Sequence, residues 1–292
     1  MTDKSPPMPP HLAIIIPAHN EAAYIGACLS ALFASVPLDG DGAEIPAVET
    51  VVVCNACTDA TARIARDHAA GAAALGWRLT VLETAAPGKL NALNLGEAAS
   101  PGRVRIYLDA DVIVSPALIG QLYAALDTPD AAYASGTAIV SPPRSALTRA
   151  YARFWTGLPF VTDGVPGFGI FALNAAGRSR WGVFPDIISD DTFVRLHFAA
   201  EERIGVPAAY SWPMVEGFGN LLRVRRRQDA GVAEIARLYP HLLANNRVRR
   251  PGIAGLLRRL VRDPVAFCTY ALVSLAVRLP GFGTRHRWAR GR

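Results

Sequence analysis

Short apolar runs rich in β-branched residues alternate with segments whose apolar positions recur every three or four residues. LAIIIP, from Leu12, has no polar interruption, the pattern of a strand buried on both faces. EAAYIGACLSALFAS places Ile25, Leu29 and Leu32 on one stripe and predicts a helix beginning after Asn20. VETVVVC predicts a second strand. TDATARIARDHAAGAAA predicts a helix with Thr58 or Asp59 at its N-cap and an Asp59–Arg63 pair one turn apart. WRLTVLE, GKLNALNLGEAA and RVRIYLDAD repeat the order, and SPALIGQLYAAL predicts a helix with Ser115 as N-cap and Pro116 at N1. Such alternation predicts an α/β fold whose parallel sheet is covered on both faces, with ligands at the carboxyl ends of its strands.

Around Pro142 the alternation stops. The Gly/Pro-rich stretch TGLPFVTDGVPGFGIFALN precedes FPDIISDDTFVRLHFAAEE, in which a loop ends and a helix begins. Beyond Gly219, RVRRRQDAG leads into three helical segments, the last two being PGIAGLLRRLVRDP and PVAFCTYALVSLAVRLPG. Val265 to Val277 carry no charge and lie between Arg262 and Arg278. The run is shorter than the roughly 20 apolar residues that span a bilayer. It suits a helix in the membrane interface, or a buried helix packed on the domain; the flanking arginines favour the membrane.

Composition sharpens this picture. The chain has 292 residues, enough for one large domain or a domain with an appendage. Its net charge of +6 hides an asymmetry, because from Arg223 onward there are sixteen arginines, no lysine and three acids. The preceding part is net acidic. A basic C-terminal region faces phosphates, anionic lipid or nucleic acid. Its arginines interleave with Leu, Ile and Val and not with aromatics that would stack on bases, so lipid is expected and nucleic acid is not. The start, MTDKSPPMPPHL, lacks a basic segment followed by a long apolar core, which predicts a cytoplasmic protein, peripheral on the inner face of the membrane.

Three features carry candidate chemistry. Asp109-Ala110-Asp111 follows the strand VRIYL, and residues i and i+2 of an extended segment point the same way. Two hard oxygen donors at a strand end suit Mg²⁺ or Mn²⁺ bridging a diphosphate. Asp190-Asp191 opens a helix, where negative charge is favoured in any case. Lys89, one of two lysines, stands at a helix start where free backbone N–H groups accept phosphate. Cys54 and Cys57 form a CxxC with no second CxxC or CxxH to complete a zinc site. No G-x-G-x-x-G follows the first strand, which argues against a dinucleotide oxidoreductase. PAHNEA also lacks the Gly-rich basic loop of a nucleotidyltransferase.

In order, IIIPAHNEA, VVVCNACTDAT, PGKLNALNLG, YLDAD, PGFGIFALN and SDDTFVRL resemble the family 2 glycosyltransferases over roughly residues 12–227. That resemblance implies a GT-A fold: a mixed, mainly parallel sheet with helices on both faces, here followed by a basic, apolar helical tail. It implies a catalytic domain over 1–227, while the arginines and the uncharged run beyond it predict a membrane-associated tail over 228–292. The implied reaction is metal-dependent and inverting, moving one sugar from a nucleotide-diphosphate donor to a lipid-linked or saccharide acceptor. By the same match Pro17, Ala18, Asn20 and Glu21 line the base and ribose site, and Lys89 and Asp109 the phosphate side. Asp109 and Asp111 hold the metal, and Asp191, with Asp190 beside it, is the general base. Asn55 stands where the family has an acid that reads the base, which leaves guanosine and thymidine carriers open. Arg225 and Arg226 fall where processive relatives carry Q-x-x-R-W. Without that order or its Trp they are expected to clamp a diphosphate or lipid phosphate.

Overall fold

The computed structural model describes residues 11–35, 47–246 and 252–279. The N-terminal segment behind the localisation expectation, and the arginines beyond Leu279, lie outside these residues. The strands are β1 (Leu12–Ala18), β2 (Val48–Asn55), β3 (Arg78–Thr84), β4 (Val104–Leu108), β5 (Ile113–Val114), β6 (Tyr133–Val140), β7 (Ile170–Asn174) and β8 (Arg203–Trp212). The helices begin with α1 (Ile25–Leu32), α2 (Thr61–Asp67), α3 (Ala69–Ala74), α4 (Lys89–Ala99), α5 (Leu118–Leu126) and α6 (Ala146–Trp155). They continue with α7 (Pro159–Thr162), α8 (Ala175–Arg178), α9 (Asp190–Leu196), α10 (Phe218–Leu238), α11 (Ile253–Arg262) and α12 (Pro264–Arg278).

The sheet runs β3-β2-β1-β4-β7-β6-β8-β5. β1 to β4 are parallel to one another, and β7 pairs antiparallel with β4 and with β6. The sheet is therefore mixed and mainly parallel, as expected. β1 is buried along its whole length, which is why Leu12–Ile16 contains no polar residue. Gly96 lets α4 lie on the sheet, since a Cβ there would stand 2.5 Å from Ile15.

Two compact units divide the chain. One comprises Met1–Thr137, Gly167–Pro185 and Ile204–Tyr210; the other comprises Ala138–Pro166, Asp186–Arg203 and Ser211–Arg292. The expected boundary at 227/228 falls inside α10, which absorbs the arginine run into one continuous 21-residue helix.

Several helix starts differ from expectation for one reason. Backbone N–H groups that would open a helix are used across loops instead. α1 begins at Ile25 because the N–H groups of Asn20, Glu21 and Ala22 bond to Cys57, Thr61 and Asp59. Asp59 accepts from Ala22 and Thr61, so Arg63 pairs with Asp67 at 3.0 Å and not with Asp59. The helix expected from Thr58 to Ala74 is split at His68 into α2 and α3. Ser115 gives its N–H to Ala209 beside the short strand β5, and α5 starts at Leu118.

In the second unit, α12 docks on α6 through one face. Tyr270 stacks on Phe154 with ring centroids 4.4 Å apart, and Phe267 meets the same ring edge-on. No helix among the described residues is long and apolar enough to cross a membrane.

Candidate functional site

In the first unit, the carboxyl ends of β1 and β2 are laced together. Asn20 adopts a left-handed φ of 54°, which its short polar side chain tolerates. From there its Oδ1 accepts the N–H groups of Thr58 at 2.6 Å and Asp59 at 3.2 Å. His19 Nδ1 donates to the Asn55 carbonyl at 2.7 Å. Cys57 Sγ accepts from Asn20 N–H at 3.3 Å and donates to the Ala18 carbonyl. The CxxC is thus a structural element of this lacing. Burial, and then the adjacent Cys57, push the Cys54 thiol up to about 12, the opposite of what a reactive thiolate needs.

Asn55 is placed differently from the expected base reader. Its side chain is fully buried, with Nδ2 donating to the Ala18 carbonyl at 2.8 Å and Oδ1 accepting from Gly88 N–H at 3.3 Å. A buried amide must satisfy both ends, and these two bonds join the ends of β1 and β2 to the loop that starts α4. Pro17 and Ala18 are buried in the sheet, while Glu21 remains half-buried at the loop. Asn20 and Asn55 therefore shape the loops, and their side-chain oxygens are engaged in doing so.

The segment Asp109–Val112 is a β-turn, with Val112 N–H bonded to the Asp109 carbonyl at 3.1 Å, and not an extended strand end. Asp109 and Asp111 are therefore not placed on one face by strand alternation. The turn itself presents both carboxylates half-buried between β4 and β5. Asp109 N–H donates to Gly169 O at 2.8 Å, which ties the turn to the PGFG segment. There Gly167 has φ 70° and passes so close to Tyr133 that a Cβ would lie 1.8 Å from its hydroxyl. The buried Cys28 thiol donates to the Asp109 carbonyl at 3.8 Å. Lys89, the first residue of α4, places Nζ 2.7 Å from Asp109 Oδ1. Two sequence-distant candidates thus meet in an ion pair.

In the second unit, α9 begins with the acid pair. Asp190 is buried, 6 % exposed, whereas Asp191 is half-buried. Asp191 Oδ1 accepts from Ser189 Oγ at 2.8 Å and from Thr192 N–H at 2.6 Å. Among the described residues its Oδ2 takes no hydrogen bond. Oδ1 thus anchors the carboxylate at the start of α9. The preceding turn is set by α10, for Glu234 accepts from Ile188 N–H at 2.8 Å. Gly231 packs there so closely that a Cβ would lie 2.9 Å from Ser189 Cβ. Neither residue stood out as functional in the sequence, though a glycine inside a helical pattern was the available signal.

Arg225 and Arg226 lie in this unit on α10, with their side chains committed to α12. Arg225 donates to the Tyr270 hydroxyl at 3.2 Å and pairs with Asp229 at 3.4 Å. Arg226 donates to the carbonyls of Ala276, Val277 and Leu279, closing the C-terminus of α12, where cations and donors are favoured. Both side chains hold α12, whereas the sequence predicts them at a diphosphate or a lipid phosphate.

Residues 13–178 match the family model for Glycosyl transferase family 2, more than half of the chain. No curated protein sequence matches. Among solved structures, the chain is similar to the mannosyltransferase PcManGT from Pyrobaculum calidifontis, in complex with GDP-Man and Mn²⁺. That similarity has a TM-score of 0.59 and 21% identity, covering 95% of this chain and 80% of that one. It is also similar to residues 1–349 of S. aureus TarS in complex with UDP-GlcNAc, with a TM-score of 0.50 and 14% identity over 91% of each chain. The family match, the sheet order and these likenesses agree: the chain belongs to glycosyl transferase family 2 and has the GT-A fold.

Proposed function

We propose that this glycosyltransferase is metal-dependent and inverting, and moves a single sugar from a nucleotide-diphosphate sugar to a lipid-linked or saccharide acceptor at an anionic membrane surface. The observation that carries the reading is the turn after β4. There Asp109 already balances a cation, Lys89, and Asp111 supplies a second carboxylate two residues on. Among the described residues no cluster of three His, Cys, Asp or Glu side chains forms a complete cage. Two carboxylates fit Mg²⁺ or Mn²⁺, which keep water and take further oxygens from substrate phosphates. The bound ion would neutralise charge on the leaving diphosphate. The similar mannosyltransferase, solved with GDP-Man and Mn²⁺, supports this choice of partners.

Asp191 takes the acceptor hydroxyl proton as the sugar's anomeric carbon is attacked from the face opposite the diphosphate. Its anchored Oδ1 and open Oδ2 support that role over the buried Asp190. Lys89 stabilises the phosphates from the start of α4. Because the Asn55 amide is engaged inside the protein, selection of the base falls to other groups of the β1 and β2 loops.

The test is release of nucleoside diphosphate from GDP-, UDP- and TDP-sugars in the presence of membrane lipid extract, with Mn²⁺ or EDTA. The expected outcome is metal-dependent turnover of one donor, lost in Asp191→Asn by a factor of about 10²–10⁴. Undiminished turnover in Asp191→Asn removes the base assignment; turnover indifferent to EDTA removes the metal.

A further inference from the structure

We infer that α11 and the outer face of α12 form a docking surface for an anionic lipid bilayer, lying in the plane of the headgroups. This deepens the membrane-acceptor reading and rests on it for its purpose, though not for the binding itself.

α11 is amphipathic with its faces reversed. Ile253, Leu257 and Val261, at i, i+4 and i+8, are 79 %, 56 % and 84 % exposed, and none of the ten residues of α11 is buried. Of its three arginines, Arg259 is the one that meets the protein. Arg259 donates to the Gly157 carbonyl, and its guanidinium lies 5.6 Å from the Phe154 ring. At the corner after α11, Asp263 caps α12 through Ala266 N–H and pairs with Arg153 at 2.8 Å. An amphipathic helix in water turns its apolar stripe to the core; this one is fastened by arginine with the stripe outward. α12 differs in packing apolar residues inward, Ala266 and Val273 among them, but it too leaves an apolar face outside, with Val265, Leu272 and Leu275 exposed.

The charges identify the occupant. From Ile253 to Leu279 the only acid is Asp263, already paired, while Arg258, Arg262 and Arg278 are exposed. Arg258 and Arg262 each follow a stripe residue by one position, about 100° around the helix, where a long side chain reaches headgroups while its neighbour sinks into the acyl boundary. A second copy of the chain would bring like-charged rims together. An anionic bilayer satisfies stripe and rim at once, and neither helix is long enough to cross it.

The experiment is flotation of the full chain with vesicles of phosphatidylcholine alone and of phosphatidylcholine with phosphatidylglycerol. Binding is expected to the anionic vesicles and to weaken with salt, as the Debye length shortens from about 10 Å at 0.1 M to about 3 Å at 1 M. Leu257→Asp with Val261→Asp should abolish flotation, while melting temperature and nucleotide binding stay unchanged because both positions are exposed. Arg258→Gln should lower partitioning about fivefold, corresponding to about 1 kcal/mol. Equal binding to neutral vesicles overturns the inference, as does undiminished binding of the aspartate variant. So does a concentration-dependent dimer, abolished by the same aspartates, in protein that does not float. Failure here with donor turnover intact would leave the transferase reading standing.

Discussion

Lys89 Nζ and Asp109 Oδ1 lie 2.7 Å apart, joining the start of α4 to the turn after β4. Half-exposed pairs of this kind contribute about 0–1 kcal/mol to stability, so the pairing matters for the site more than for the fold. Lys89→Met should leave the melting temperature nearly unchanged. It should raise the affinity for Mn²⁺ alone several-fold, because Asp109 loses its competing cation, and weaken nucleoside diphosphate about tenfold. Calorimetric titration of each ligand checks both. Weaker Mn²⁺ binding in the variant would contradict the placement of the metal at Asp109.

Asn55→Asp exchanges an N–H donor for a carboxylate oxygen facing the Ala18 carbonyl, now 2.8 Å from Nδ2. The family-like residue is therefore expected to harm this protein, by about 3 kcal/mol, through a buried charge with no donor from Ala18. Denaturant unfolding measures it. Unchanged stability with altered nucleotide preference would return Asn55 to the role of base reader.

Gly231→Ala should gain about 1 kcal/mol of helix propensity while pressing Ser189, 2.9 Å from the new Cβ, out of position. Turnover is expected to fall ten- to a hundredfold as Asp191 shifts, with donor affinity retained. Steady-state kinetics beside nucleotide titration separates the two. Equal loss of both would mean that α10 supports the fold and not the acid pair.

Cys54 should resist alkylation at pH 8. Its thiol is raised from 9.0 to about 12, so the thiolate is about a thousandfold scarcer than for an ordinary cysteine. The neutral thiol favours the folded state fully below pH 9, and that contribution is lost as pH rises towards 12. Mass mapping after iodoacetamide treatment of native protein tests this. Rapid labelling of Cys54 would reopen a redox role for the CxxC.

The parallel strands were legible because burial on both faces leaves uninterrupted runs such as Ile14-Ile15-Ile16. β8 was not, since it contains Pro207, and β5 has two residues, too few for a period. The acid pairs were legible as local motifs at element ends. What each side chain touches was not. Asn55 is engaged by Ala18 and Gly88, and Arg226 by α12, some fifty residues away, through tertiary contacts that no local spacing encodes. The tail was half legible: its helices and arginines were read from sequence, and packing on the domain was one of two readings for α12, but neither its partner α6 nor the outward apolar stripe of α11 could be read.

Metal-dependent nucleotide binding at Asp109 and Asp111 is tested most directly by the melting temperature of the protein and of Asp111→Asn against GDP, UDP and TDP, each with Mn²⁺ or EDTA. A ligand that binds only the native state stabilises it by about 2.7 kcal/mol at a hundred times its Kd. One nucleotide should raise the melting temperature by several degrees with Mn²⁺, and the rise should vanish with EDTA and in Asp111→Asn. A folded protein whose melting temperature moves with none of them, or moves equally in EDTA, would contradict a metal-dependent nucleotide site at Asp109 and Asp111.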